Sequence, residues 1–512
     1  DSVVMFPVWS FGTHGTVQVS IPAGYDVLVD GNPLTATRVG DAWHLTSGPI
    51  EDPTRWLALL TATQPSTFAT RSASVPLKGG TLQVQVRSWS DDRPWGRRTL
   101  DLATAALPRL EKAIGMDLPT ASPLVLVESL PAAGGELSEP TPVGTDVAVG
   151  FDEPPFTVVH QLAHAWFTPQ LAADQWIREG FASQAAAAVA ARVHLRPPFE
   201  PAKEADSLKG DAFPLVSWGA GKATARQDRY AHAASWAAAA QLAQAVGADA
   251  LRLAWRRFAA GLDGYQPLDI TPTPGQLASV PADSRHLLDQ LEAVSGKDLR
   301  AVFDRWVFDD ATSQLLPQRQ EARAEATQLA QAAGEWGVPE PVRLALAGWR
   351  FDDALAAIGE VKRWLSDRDE LLSTARAAGL TVPDRLRDEY RTGGGTNAAR
   401  TELDAEQAFV TDYATARRLV TGQRSPLEQA GLLGGDDPSA QLDEARTAFA
   451  EGDLVGASEL ATDARQRLQD AGRDGLVRLA SAVAVLVALL IGLIWLVRRR
   501  RQVRNDSYTA GP

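Results

Sequence analysis

Residues 160–164 read His-Gln-Leu-Ala-His, and fifteen residues after the second histidine Glu179 stands within Trp-Ile-Arg-Glu-Gly-Phe-Ala at 176–182. Histidines at positions i and i+4 share one face of a helix, so both imidazoles can reach one metal ion. A glutamate from the next helix would complete a His2Glu zinc site with an open fourth position, the arrangement of a catalytic zinc. The residue after the first histidine is Gln161, and its amide cannot take a proton from water.

The composition predicts a folded protein of several domains. The chain has 512 residues, of which 45% are apolar and 22% charged, and it carries a net charge of −13. This acidic balance argues against a nucleic-acid partner, which requires a basic face. There is no cysteine, so disulfides, thiolate metal sites and cysteine nucleophiles are excluded. Abundant alanine, and lysine scarce beside arginine, fit a GC-rich bacterial coding sequence.

A membrane-spanning helix is predicted near the C-terminus. Leu479–Val497 contains no charged residue, and its 19 residues would span roughly 28 Å as a helix. Four arginines follow at once, which places residues 498–512 in the cytoplasm by the positive-inside rule. We therefore expect a single-pass cell-membrane protein with its N-terminal ectodomain outside. An exported N-terminus requires a signal, so we expect a removed signal peptide or further sequence before Asp1.

The N-terminal part reads as β structure. Polar and apolar residues alternate at 16–21, 25–29 and 81–86, as they do in half-buried strands. Turn sequences such as Lys78-Gly79-Gly80 separate these runs. A β-sandwich-like domain is predicted over residues 1–90.

Residues 91–312 are predicted to form a second, mainly helical domain that carries the histidines. A helix at 98–114, within which Pro108 is expected to shift the boundary, leads into strands at 123–127 and 146–149. Helical spacing then dominates, over 156–167, 182–193, 230–246, 248–262 and 287–308.

Residues 313–475 are predicted to be an all-helical, membrane-proximal region. Two segments, 349–354 and 449–454, resemble the turns of tetratricopeptide-type helical hairpins. Two weak copies do not establish a repeat, and a helical stalk below the ectodomain is the alternative.

With these motifs in place, the chain resembles the gluzincin zinc metallopeptidases, meaning the M1-type aminopeptidases and the broader bacterial peptidase MA-like group. Their H-E-x-x-H is often followed by Trp-Phe and then by W-L-x-E-G-[FL]-A; here Ala165-Trp166-Phe167 follows the second histidine, and 176–182 fits the later segment. The resemblance covers about residues 80–310. It implies an α+β fold with a thermolysin-like, mainly helical zinc domain.

The resemblance also implies roles for individual residues. His160, His164 and Glu179 would hold Zn2+, and Gln161 occupies the position of the general base. Tyr230, ahead of an alanine-rich helix, resembles the family's tyrosine and would donate a hydrogen bond to the oxyanion. The substrate or ligand implied is a peptide or protein.

This chain departs from the M1 pattern in three respects. Gln161 replaces the base, and general acid–base catalysis is typically worth about 10² to 10⁴ in rate. The gap between the second histidine and Glu179 holds 14 residues, whereas M1 enzymes usually have 18. The strand that reads the substrate's amino terminus has only a weak counterpart at Gly134-Gly135-Glu136. Glu136, Asp152 and Glu153 are carboxylates near the motif in sequence, but no spacing places them on the metal-bound water.

We therefore predict a membrane-anchored, extracytoplasmic homologue of zinc metallopeptidases that is impaired or inactive because of Gln161. One alternative is an active metallopeptidase that uses another carboxylate. The other is a non-catalytic surface module that binds partners or has a structural role.

Overall fold

The computed structural model describes residues 2–5, 15–31, 34–50, 58–64, 68–118, 123–129, 146–220, 223–272, 277–394 and 397–506. Across these residues the architecture is α+β, with a β-rich N-terminal part and a mostly helical remainder, as the sequence predicted. The chain divides into two compact units, Asp1–Pro317 and Gln318–Pro512. The finer domain division stays a prediction.

Two antiparallel sheets form the start of the first unit. Within the described residues their strand orders are β1-β6-β3 and β2-β5-β4. Ile21 and Leu45 of one sheet share a buried core with Leu60 and Ala62 of the other, which is the arrangement of a small sandwich. The strands are β1 (Ser2–Met5), β2 (Gln18–Pro22), β3 (Asp26–Gly31), β4 (Thr35–Val39), β5 (Ala42–Thr46) and β6 (Ala58–Thr63).

The next sheet has the order β10-β9-β8-β7 and joins two parts that the sequence analysis separated. β7 and β8 form an antiparallel hairpin, while β8, β9 and β10 run parallel. The predicted boundary at residue 90 lies between β8 and β9, yet Val84 pairs with Leu124. Strand pairing thus groups the hairpin with the later sheet. The strands are β7 (Phe68–Leu77), β8 (Gly80–Trp89), β9 (Leu124–Ser129) and β10 (Asp146–Gly150).

Helix α1 (Arg93–Ile114) connects β8 to β9 and covers this sheet. It begins five residues earlier than predicted because the side chain of Asp92 caps it, accepting a hydrogen bond from the Trp95 N–H at 3.1 Å. It continues through Pro108, which was expected to shift its boundary. It ends at Gly115, whose φ of 77° is the left-handed conformation that glycine adopts without strain.

Helices then follow to the end of the first unit, around a buried aromatic core. Trp176 contacts Phe181 and Phe303, and Trp255 contacts Phe181. The helix predicted over 287–308 is two helices, because Gly296 takes a φ of 64° at the end of the first. The helices are α2 (Pro155–Ala163), α3 (Gln175–Ala190), α4 (Pro201–Ser207), α5 (Ala225–Val246), α6 (Ala248–Ala259), α7 (Ser284–Ser295), α8 (Arg300–Trp306) and α9 (Asp310–Ser313).

The second unit is helical throughout its described residues. The two similar segments, 349–354 and 449–454, lie at connections between consecutive helices that pack together, α11 with α12 and α16 with α17. A tetratricopeptide-type repeat stays a prediction. The helices are α10 (Leu316–Ala333), α11 (Glu340–Ala347), α12 (Phe351–Ala378), α13 (Asp384–Gly393), α14 (Asn397–Thr421), α15 (Pro426–Leu432), α16 (Pro438–Ala450) and α17 (Leu454–Asp506).

The last helix, α17, changes character along its length. Its first part packs against α14, α15 and α16, and Ala457, Ala461 and Ala464 are fully buried there. From Leu476 to Val497 its large apolar side chains are exposed. Among the described residues it is the one helix long and apolar enough to cross a membrane, so the predicted segment exists as an exposed apolar helix.

Candidate metal centre

The two histidines of the motif lie at the end of α2. His160 is on the helix, and His164 directly follows its last residue with helical dihedral angles (φ −64°, ψ −11°), so the spacing of one turn is kept. The helix thus ends earlier than the predicted residue 167. His164 nevertheless stays on the same helical face as His160. The two Nε2 atoms lie 3.1 Å apart, and His160 is fully buried.

Glu179 lies on α3 and faces both histidines. Its Oε2 is 3.2 Å from Nε2 of His160, and its Oε1 is 3.6 Å from Nε2 of His164. The side chain is 1% exposed. The structure thus brings together the three residues that the sequence picked out as ligands.

Gly180, beside Glu179, allows α3 to approach α5 closely. A Cβ atom at this position would lie 2.4 Å from the carbonyl oxygen of Ser235 on α5. Real Cβ atoms do not come this close to backbone, so only glycine fits. The glycine of the Glu-Gly pair therefore sets the packing of the helix that carries Glu179.

Burial and charge set the protonation of these groups. Burial disfavours the imidazolium form and lowers the pKa of His160 to about 4, so this ring is neutral at pH 7. Burial alone would raise the pKa of Glu179, but the imidazoles of His164, His160 and His232 around it hold that pKa well below its usual range. A neutral imidazole and an ionised carboxylate are the forms in which these side chains bind metal.

Outer hydrogen bonds fix the orientation of both histidine rings. Nδ1 of His160 lies 3.0 Å from Oγ of Ser183, one turn after Glu179 on α3. Nδ1 of His164 lies 3.3 Å from the carbonyl oxygen of Phe167, to which it can only donate. Donation through Nδ1 leaves the Nε2 lone pair directed at the cluster, as in metal-ligating histidines.

A third histidine, which the sequence analysis missed, also contacts Glu179. Nδ1 of His232, on α5, lies 3.5 Å from Oε2 of Glu179, and its Nε2 lies 3.5 Å from Oδ2 of Asp228. Asp228 in turn accepts a hydrogen bond from the indole N–H of Trp218 at 3.1 Å. Burial lowers the pKa of His232, but Asp228 and Glu179 outweigh it and raise the pKa to about 9. The sequence does hold a signal for this contact, because Asp228 and His232 form an acid–histidine pair one helical turn apart.

Tyr230, predicted as the oxyanion donor, lies two residues before His232. Two residues on a helix are about 200° apart, so their side chains project from opposite sides. His232 faces Glu179, whereas the ring of Tyr230 packs on Phe213 at 5.9 Å, with Arg305 and Asp206 as its charged neighbours. His232 therefore faces Glu179 from α5, and the role of Tyr230 as oxyanion donor stays a prediction.

Gln161, at the position of the general base, is buried beside His160 on α2. Its side chain is an amide, which can donate and accept hydrogen bonds but cannot accept the proton of a water molecule. Asp152 is exposed and Glu153 half-buried, both in the turn between β10 and α2. The third carboxylate considered from the sequence, Glu136, lies outside the described residues.

The donor atoms fit a zinc ion. Zinc bonds of about 2.0–2.1 Å place tetrahedral ligand atoms roughly 3.3 Å apart. Here the two Nε2 atoms are 3.1 Å apart. Oε2 of Glu179 lies 3.2 Å from Nε2 of His160, its other oxygen, Oε1, lies 3.6 Å from Nε2 of His164, and one ligand atom from each residue lies within 4.8 Å of the others. Neither oxygen of Glu179 has an aligned hydrogen-bond donor among the described residues, although three imidazoles surround it. Two imidazoles and one carboxylate are ligands that zinc prefers.

Comparison with known proteins gave a match to solved structures alone. No family model matches the sequence, and no curated protein matches it. The fold is similar to an M1 zinc metallopeptidase from Deinococcus radiodurans, at 19% identity and a TM-score of 0.35. It is also similar to aminopeptidase A from Legionella pneumophila in complex with aspartic acid, at 16% identity and a TM-score of 0.33. Each alignment covers 57% of this chain, and it spans 63% of the first protein and 34% of the second.

Proposed function

We propose that the protein is a membrane-anchored zinc protein of metallopeptidase type that binds peptides and hydrolyses them poorly or not at all. The observation that carries the proposal is the convergence of His160, His164 and Glu179 on one point with Gln161 beside them. The ligand set is complete, and the residue that such a site needs for proton transfer has been replaced by its amide.

The three clustered residues would hold the ion and leave one position open for water or a peptide carbonyl. Zinc bound there would lower the pKa of a bound water and polarise a carbonyl group. Ser183 and the carbonyl of Phe167 hold the two rings in the orientation that metal binding requires. Gly180 lets α3 seat Glu179 deep in the core, where solvent does not compete for its oxygens.

Gln161 is the reason that turnover is expected to be slow. A general base accepts the proton of the attacking water and passes it on, which typically contributes about 10² to 10⁴ in rate. The amide can still hydrogen-bond a water or a peptide group. The same substitution that slows hydrolysis therefore leaves the capacity to bind intact.

His232 is proposed to act as a positioning residue for Glu179. Asp228 holds one side of the imidazole, and the other side faces the carboxylate. Such partners of ligating groups fix their orientation and typically change metal affinity by about 10- to 100-fold when removed.

The C-terminal helix is proposed to anchor this site at a membrane. Its exposed apolar part ends at Val497 and is followed by Arg498, Arg499, Arg500 and Arg501. An arginine cluster directly after a membrane span favours the cytoplasmic side. On that orientation the metal centre is extracytoplasmic.

The test uses the full chain in phosphatidylcholine nanodiscs. The expected result is one zinc per chain by elemental mass spectrometry, together with zinc-dependent retention of intact peptides from a mixed synthetic pool. His164→Ala should lose both, whereas His44→Ala, which alters an exposed histidine, should lose neither. A chain that retains no zinc, or that cleaves the pool rapidly in a His164-dependent way, contradicts the proposal.

A further inference from the structure

A cavity of about 440 Å³ opens between α1, α3, α5 and α6, and it is separate from the metal centre. None of His160, His164, Glu179 or His232 lines it. Its volume lies within the range of roughly 300–1,000 Å³ that small-molecule sites occupy. Nothing in the chemistry of the metal centre accounts for this space.

Aromatic side chains form the floor of the cavity, and alanine side chains form much of its walls. Phe167, Phe181 and Trp255 are buried and in mutual ring contact, with centroids 4.7 to 6.3 Å apart. Because alanine side chains end at Cβ, they leave room between the helices for an apolar chain. The walls carry Ala113, Ala185, Ala188, Ala240, Ala243 and Ala248.

The lining is cationic, in a chain whose net charge is −13. Lys112, Arg192 and Arg252 line the cavity, and none of the described residues that line it is acidic. Arg252 pairs with Asp249 at 2.5 Å. Lys112 and Arg192 are exposed, and neither has a carboxylate partner within the part of the chain that the structure describes. An apolar floor below two unneutralised cations is complementary to a molecule with an apolar body and an anionic head.

We propose that this cavity binds an anionic amphiphile with a single apolar chain. The chain lies on the floor of Phe167, Phe181 and Trp255, and the head group pairs with Lys112 and Arg192. A free fatty acid and a single-chain phospholipid share this chemistry and differ in the head, carboxylate or phosphate. This inference does not rest on the proposed function, since it needs neither zinc nor Gln161.

The test is photo-crosslinking of the full chain in phosphatidylcholine nanodiscs with a diazirine-bearing dodecanoic acid, with labelled peptides mapped by mass spectrometry. Labels are expected on peptides from 181–192 and 240–255. Laurate should displace the probe, whereas dodecylamine and butyrate should not, because one has the wrong charge and the other lacks the chain. Dodecyl phosphate in place of laurate distinguishes the two head groups.

Variants locate the site. Lys112→Ala with Arg192→Ala should weaken laurate binding at least tenfold, whereas Arg196→Ala, four residues further along and outside the cavity, should leave it unchanged. Ala188 is exposed, so Ala188→Trp should fold and fill the cavity, abolishing the label. Labelling that survives Ala188→Trp, maps elsewhere, or is displaced equally by dodecylamine overturns the proposal.

Discussion

Nδ1 of His232 lies 3.5 Å from Oε2 of Glu179, although the two residues are 53 positions apart and on different helices. Asp228 holds the opposite side of the same imidazole. A carboxylate ligand held in this way is oriented before the metal arrives. His232 therefore belongs to the surroundings of the metal centre, although it is not part of the sequence motif.

Replacing His232 is expected to weaken zinc binding without abolishing it. His232→Ala should raise the zinc dissociation constant about 10- to 100-fold, because Glu179 loses its orienting partner. His232→Asn should recover part of the loss, since a side-chain amide at this position is able to donate a hydrogen bond towards the carboxylate. Chelator competition at equal folded fraction measures both. Unchanged affinity in His232→Ala would show that the contact has no part in metal binding.

Removing the metal should lower the thermal stability of the protein. A ligand that binds only the folded state adds about 2.7 kcal/mol at a free concentration 100 times its dissociation constant. Zinc should therefore raise the unfolding midpoint of the natural chain and of His44→Ala, and have no effect on His164→Ala. Differential scanning calorimetry with and without zinc tests this. An equal zinc response in His164→Ala would place the ion elsewhere.

Gly180→Ala is expected to destabilise the first unit. The added Cβ would meet the backbone of Ser235 at 2.4 Å, and overpacking of this kind typically costs about 1–3 kcal/mol. Zinc affinity should fall with it, because α3 carries Glu179. Gly359→Ala is the matched control, since that helical glycine has open space around it and should gain up to about 1 kcal/mol. Chemical denaturation curves compare the two, and equal effects would contradict the packing argument.

The second unit, Gln318–Pro512, should lose stability as pH rises. Burial raises the pKa of Glu406 to about 8, with Glu402 adding to the shift and Arg385 opposing it. The fold therefore favours the protonated form, and this contribution is complete below about pH 4.5 and lost as pH rises through 8. Between pH 5 and 8 the free energy of unfolding should fall by about 4 kcal/mol, at roughly 1.4 kcal/mol per unit. Glu406→Gln should flatten that fall, and exposed Glu444→Gln should not.

The parts of the site that were predictable depend on local spacing. His160 and His164 are one helical turn apart, and that period needs no knowledge of the tertiary fold. Glu179 was predicted as a ligand from the short segment around it, residues 176–182. The α+β class followed from alternation near the N-terminus and helical spacing beyond it, because both periodicities are carried by neighbouring residues.

The parts that were missed depend on contacts between distant segments. His232 reaches Glu179 because α3 packs on α5, and a one-dimensional pattern does not show which face of α5 is turned inward. A family pattern favoured Tyr230, two positions away on the opposite side of the helix. The pairing of β8 with β9 was missed for a similar reason, since a helix of 22 residues separates them.

The most direct test of the central claim is peptide hydrolysis by the zinc-loaded full chain, natural and Gln161→Glu, on one mixed peptide pool. If the centre is complete except for its base, the variant should cut peptides about 10² to 10⁴ times faster than the natural protein. Adding His164→Ala to the variant should remove that activity. If the natural protein cuts as fast as the variant, the base lies elsewhere and the role given to Gln161 is wrong.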